Sequence, residues 1–270
     1  MSPAPSAPAR TLPSPPLFSW LAAMAGAIAS GRGKVDGADA LNLLTLAALV
    51  ACWAALWWAV MDVDWAGFLR GRAAWRGGAV PLAFPYAEPG SLAAQTSIEL
   101  GRAVDWARRN PARWEWPALS AGAALAFSLL LSAQLGANLF ALNLLAIGLC
   151  AVAPFVSRAW LSAGVMGAVR VLLPMLAGAA LFAPLTPALG ALALGLGMAY
   201  AARGSARFHW GYALVMAVML FSRYTLGAFL IALFWLPHFL MALEPATPQT
   251  DRLRLIWLAA TMLVCAIALT

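Results

Sequence analysis

The chain has 270 residues, of which 63% are hydrophobic and only 10% charged, with a mean hydropathy of +0.82. That composition excludes a soluble domain, and the unbroken apolar runs exclude the period-two alternation of a transmembrane β-barrel, which leaves an all-α, polytopic transmembrane helix bundle. The formal charge of +7 is carried almost wholly by arginine, Lys34 being the one lysine; its distribution follows membrane topology and points to no nucleic-acid partner.

Residues 1–16 are rich in Pro, Ser and Ala and read as a disordered N-terminus. Leu17 to Ala29 is apolar but short for a span. It reads either as a signal-peptide h-region, with Ala27-Ile28-Ala29 resembling a cleavage site, or as a short first helix. Leu41 to Met61 is a full span, with Trp57, Trp58 and Trp65 marking its exit into the interface. These two segments make up residues 17–61.

Residues 62–117 form the long hydrophilic loop. Arg70, Arg72, Arg76, Gly77, Gly78, Pro81, Pro85 and Pro89 give its first half a composition for irregular structure. From Ser91 to Asn110 the pattern turns helical: Ser91 caps, Asp105 pairs with Arg109 four residues on, and Pro111 stops the helix. Ala93, Leu100, Val104 and Ala107 share one face, which predicts a helix lying on the membrane surface. Trp114 and Trp116 return the chain to the bilayer.

Residues 118–270 are almost continuous membrane. Ala118 to Leu135 carries Ser120, Ala124, Ser128, Ser132 and Gly136 at four-residue steps, a face for close helix packing. A tight turn at Gly136-Ala137-Asn138 leads into Leu139 to Val156, with Asn143 inside. The span Trp160 to Phe182 follows, then a Gly- and Ala-rich one ending at Ala202. Phe208 to Leu243 is split by Ser222-Arg223-Tyr224 into a hairpin with short arms, and Leu253 to Thr270 closes the chain. The expectation is about eight firm spans plus the short N-terminal segment.

Arg170 stands near the middle of its span, and every Asp and Glu lies outside the apolar runs. A charge at mid-bilayer costs from ~2.5 to more than ~10 kcal/mol, so it faces protein or water. Ala163, Gly167, Arg170, Pro174 and Ala177 share a helical face of mostly small residues. Pro174 has no N–H for the Arg170 carbonyl, which predicts a kink and a polar pocket at that depth. The alternative is that Arg170 binds helix-end carbonyls and trapped water for structure alone.

Orientation follows from counting arginine and lysine by side. With alternating crossings, Arg70, Arg72, Arg76, Arg102, Arg108, Arg109, Arg113, Arg158, Arg203, Arg207, Arg252 and Arg254 share one face. Arg10, Arg32, Lys34 and Arg223 lie on the other. The bias makes the loop 62–117 cytoplasmic, the membrane the cytoplasmic (inner) one, and the C-terminus outside.

Three sets of residues carry candidate chemistry. Asp62 and Asp64, one residue apart beyond the second apolar segment, can share a Mg²⁺ bound to a diphosphate, or serve as ordinary interfacial charges. His209 and His238 are nearly equidistant from Arg223, so antiparallel arms bring them to similar depth. There they can ligate a haem or chlorin, or hydrogen-bond at the interface. Cys52, Cys150 and Cys265 are odd in number and widely spaced, which gives neither a disulfide framework nor a zinc site.

Counting the short first segment, nine helices with a long cytoplasmic loop after the second resemble the UbiA-type intramembrane prenyltransferases. The stretch Leu149 to Gly178 is similar too, with Pro154 and Arg158 ending one helix and Arg170 within the next. The resemblance implies that an acidic motif after the second helix, and another after the sixth, hold Mg²⁺ and a prenyl diphosphate. Asp62 and Asp64 match the first. At the second this chain has Arg203-Gly204-Ser205-Ala206-Arg207, without a carboxylate.

The sequence thus predicts a membrane protein that holds a lipid, isoprenoid or other hydrophobic ligand in an intramembrane cavity near Arg170, with Asn143 and Arg158 as further ligand-binding residues. One alternative is a divergent prenyltransferase using Mg²⁺ at Asp62 and Asp64. Another is a structural or assembly subunit that meets partner chains through its small-residue faces.

Overall fold

The computed structural model describes residues 17–31, 36–61, 90–109, 111–156, 159–203, 205, 207–242 and 247–270, and every regular element among them is helical. The helices are α1 (Leu17–Ala29), α2 (Gly37–Met61), α3 (Leu92–Arg109), α4 (Pro111–Leu135), α5 (Ala137–Val152) and α6 (Ala159–Gly167). They continue as α7 (Leu173–Ala180), α8 (Pro187–Ala201), α9 (Phe208–Phe221), α10 (Thr225–Ala242) and α11 (Pro248–Ala268). A 3-10 turn, Ala153–Phe155, extends α5, and a π turn, Ala168–Leu172, joins α6 to α7.

Four segments among the described residues are long and apolar enough to cross a membrane: Gly37–Met61, Ala118–Leu135, Ala137–Phe155 and Trp160–Ala180. The expectation of about eight firm spans is therefore corrected. Length makes the difference. Leu17–Ala29, Pro187–Ala201, Phe208–Phe221 and Thr225–Met241 are apolar but shorter. At ~1.5 Å per residue, a helix of ~15 residues rises ~22 Å, against ~30 Å of hydrocarbon. Hydropathy runs through the ends of these helices, whereas local caps cut them. Thr186 Oγ1 accepts from the Leu189 N–H at 3.2 Å, with Pro187 in the first turn of α8. Similarly, α11 begins at Pro248 and not at Leu253. Thr247 and Thr250 form a reciprocal capping box there, which draws Asp251, Arg252 and Arg254 into the helix.

Contacts divide the chain into two units, Ala59–Ala123 and Met1–Trp58 with Ala124–Thr270. In the former, α3 forms as its sequence predicts: Ser91 Oγ accepts from the Ala94 N–H at 3.2 Å, and Arg109 Nε meets Asp105 Oδ1 at 3.1 Å. Leu100, on the face assigned to the membrane surface, is exposed.

In the larger unit, α1 is a helix packed on α7 and α11, while α8 lies against α9, α6 and the π turn. Small residues make these crossings close. A Cβ at Gly195 would meet Val215 and the Gly211 carbonyl, so α8 and α9 approach backbone to backbone. On α4, the predicted small face is buried at Ala124, Ser128 and Ser132. Gly136 instead makes the turn into α5, at φ +106°, where a side chain would be strained.

The π turn answers the predicted kink at Pro174. The ring displaces the Arg170 carbonyl from the helical ladder, and the turn widens so that the Leu173 N–H donates to the Ala168 carbonyl, five residues back. The helix thereby absorbs the proline without breaking.

Candidate functional site

Among the sequence-predicted site residues, Asp62, Asp64 and Arg158 lie outside the described residues. Arg170 sits in the π turn, half-buried. Asn143 is fully buried and bonded at both ends of its amide. Trp53 Nε1–H donates to Asn143 Oδ1 at 2.7 Å, and Asn143 Nδ2–H donates to Ser132 Oγ at 3.0 Å. Ser132 in turn donates to the Leu129 carbonyl at 3.2 Å. This string ties α2, α5 and α4 together through polar groups that are all satisfied.

His209 and His238 do come from adjacent arms at similar depth, but each binds an aromatic residue one helical turn from the other histidine. Trp235 Nε1–H donates to His209 Nδ1 at 2.9 Å, and the Tyr212 hydroxyl lies 3.2 Å from His238 Nδ1. Indole nitrogen is only a donor, so His209 Nδ1 must accept and the ring proton sits on Nε2. A ligating imidazole does the reverse: it donates through one nitrogen and binds metal with the bare other. The Nδ1 of His209 is thus engaged by the protein itself. His238 stacks on Phe208 with ring centroids 4.4 Å apart. It is fully buried. Among the described residues, no three His, Cys, Asp or Glu side chains gather as a metal cage.

Beside this aromatic register lies a charged cluster that hydropathy did not reveal. Arg203 Nε is 3.5 Å from Asp251 Oδ1, and its Nη1 donates to the Tyr200 carbonyl at 3.1 Å. The guanidinium also stands 4.5 Å from the centre of the Tyr200 ring. Arg254, almost wholly buried, donates to the Met241 carbonyl near the end of α10. The sequence signal was the run Asp251, Arg252, Arg254 behind a Thr-Pro cap, which marks a helix start and not a loop.

An apolar groove of about 760 Å³ lies between α6 with its π turn and α8. Gly164, Ala168 and Leu172 line one wall, Leu194, Gly197 and Met198 the other. Its polar residues, Ser205 and Arg207, stand together in the turn before α9, alongside Trp160 and Trp210. Arg170 is not among the lining residues, although its π-turn neighbours Ala168 and Leu172 are; among the described residues, the cation that lines the groove is Arg207. From Trp160 to Leu172 the wall runs ~18 Å at ~1.5 Å per residue. A Cβ added at Gly164 meets nothing within 4 Å, so the groove floor there is open space. No family model matches the chain, nor does any curated protein or solved structure.

Proposed function

We propose that this is a multi-pass protein of the cytoplasmic membrane that holds one hydrophobic ligand, a lipid or isoprenoid chain, in the groove between α6 and α8. The observation that carries the reading is the division of polarity along the groove. Its walls are apolar, while Ser205 and Arg207 sit at the end that Trp160 and Trp210 flank. Paired tryptophans belong at the level of the lipid headgroups. Arg207 lies beside Trp160 at the start of the long segment Trp160–Ala180, and the arginine bias of the sequence assigns that end to the cytoplasmic side. A volume of this order suits one extended small ligand. The reading requires neither Mg²⁺ nor the Asp62 and Asp64 pair.

The test fills the groove without disturbing the fold. Gly164→Phe projects a ring into open space, whereas a side chain at Gly167 would strike the Gly197 carbonyl. Mass spectrometry of molecules that co-purify in gentle detergent should find a specific hydrophobic compound with the wild type and none with Gly164→Phe. Equal occupancy in the two proteins would remove the groove as the binding site.

A further inference from the structure

We infer that the occupant of this groove is an anionic membrane lipid, held with its phosphate against Arg207 and one chain along the Gly164–Gly197 floor. The inference rests on the groove reading above and adds the chemistry of the head.

Its first support is the charge at the mouth. Arg207 is exposed, lines the groove, and makes no ion pair among the described residues. Among the described residues, no Asp or Glu lines the groove. Asp251, a carboxylate near this end of the helices, is 3.5 Å from Arg203 Nε, so its charge is already matched. Arg203 is further fixed by the Tyr200 carbonyl and ring. Of the two arginines in the turn, one is thus committed to the protein and the other is presented to the groove. An uncompensated guanidinium beside a low-dielectric slot attracts an anion and discriminates against zwitterions and neutral heads.

The second support is geometric. Ser205 Oγ–H donates to the Ala202 carbonyl at 3.1 Å, and the Ser205 N–H also donates to that carbonyl, at 2.8 Å. These bonds hold the turn in place, and the Phe208 N–H bonds back to the Ser205 carbonyl at 3.3 Å. Arg207 therefore projects from a turn braced on both sides. Directly below the mouth, Gly164, Ala168, Gly197 and Ala201 leave the walls low enough for a methylene chain to lie against backbone.

Native mass spectrometry of delipidated protein, titrated with dioleoyl phosphatidylglycerol or with dioleoyl phosphatidylcholine, separates head from chain because the tails are identical. The wild type should bind the anionic lipid about ten-fold more tightly, the factor that one charge-assisted contact supplies. Arg207→Gln should bring phosphatidylglycerol down to the level of phosphatidylcholine bound by the same variant and weaken phosphatidylcholine less, because choline already offsets the phosphate charge the two heads share. Arg223→Gln, at the distant hairpin tip, should keep the preference. Gly164→Phe should remove both lipids. If Arg207→Gln keeps the preference while Gly164→Phe still empties the groove, the anionic head is refuted and the groove reading stands. If Gly164→Phe binds both lipids as the wild type does, the groove reading itself falls.

Discussion

Gly26 and Gly178 mark a backbone-to-backbone crossing: a Cβ on Gly26 would fall 1.9 Å from the Met175 carbonyl oxygen, and one on Gly178 the same distance from that of Ala23. The two glycines are reciprocal, each placed under the other helix's backbone, so α1 and α7 pack with no side chain between them. Such contact gains dispersion and Cα–H···O attraction where no hydrophobic effect drives helices together.

Gly26→Leu or Gly178→Leu should therefore destabilise the fold by more than the ~1–3 kcal/mol of an ordinary over-packed site, because rigid backbone is what the new side chain meets. Thermal unfolding in detergent checks this, with Gly164→Leu as a size-matched control that should melt like the wild type. A Gly26→Leu protein with unchanged Tm would show that α1 does not dock on α7.

Asn143→Leu removes a buried amide of matching bulk and leaves the Trp53 and Ser132 polar groups without their partner. The expected cost is ~1–3 kcal/mol. Trp53→Phe should cost less, and the double variant should cost less than the sum of the single ones, since both changes delete the same bond. Strict additivity in a denaturant titration would contradict the shared bond.

Arg223 occupies the left-handed region at φ +64°, at the C-terminal stop of α9. The Tyr224 N–H bonds to the Met219 carbonyl at 2.9 Å and the Arg223 N–H to the Leu220 carbonyl at 3.0 Å, the paired bonds of a Schellman stop, where glycine is the usual choice. Arg223→Gly should stabilise the protein by ~0.5–1 kcal/mol and Arg223→Val should destabilise it by at least as much. Comparing the two melting temperatures decides the matter; a rise with valine would rule out the left-handed turn.

The Trp235 bond dictates a tautomer. Nitrogen NMR of the histidine rings should show His209 with an unprotonated Nδ1 and a protonated Nε2, and Trp235→Phe should release that preference. A His209 ring protonated on Nδ1 in the wild type would mean the bond is absent.

The sequence alone determined the helical class and the membrane environment, because both depend on composition averaged over whole segments. It also determined events decided within a few residues: the Ser91 cap, the Asp105–Arg109 pair, the distortion ahead of Pro174 and the turn at Ser222-Arg223-Tyr224. Span number was less legible. Hydropathy does not register where a capping threonine stops a helix, so Pro187–Ala201 reads as a firm span although it is shorter than the four long apolar segments; the short arm Phe208–Phe221 was legible from its turn.

Only the tertiary structure decided which polar residues face one another. His209 and His238 have the symmetric spacing that suggested a facing pair, but the rotation of each arm gives them Trp235 and Tyr212 instead. Asn143 is anchored by Trp53, 90 residues away, a partner that no local pattern can announce. Arg170 stood out in the sequence for its mid-bilayer position, yet the groove opens past its neighbours and ends at Arg207. The reason is physical: periodicity fixes which residues share a face of one helix, while the depth and rotation at which two helices cross are set by where their smallest residues let the backbones touch.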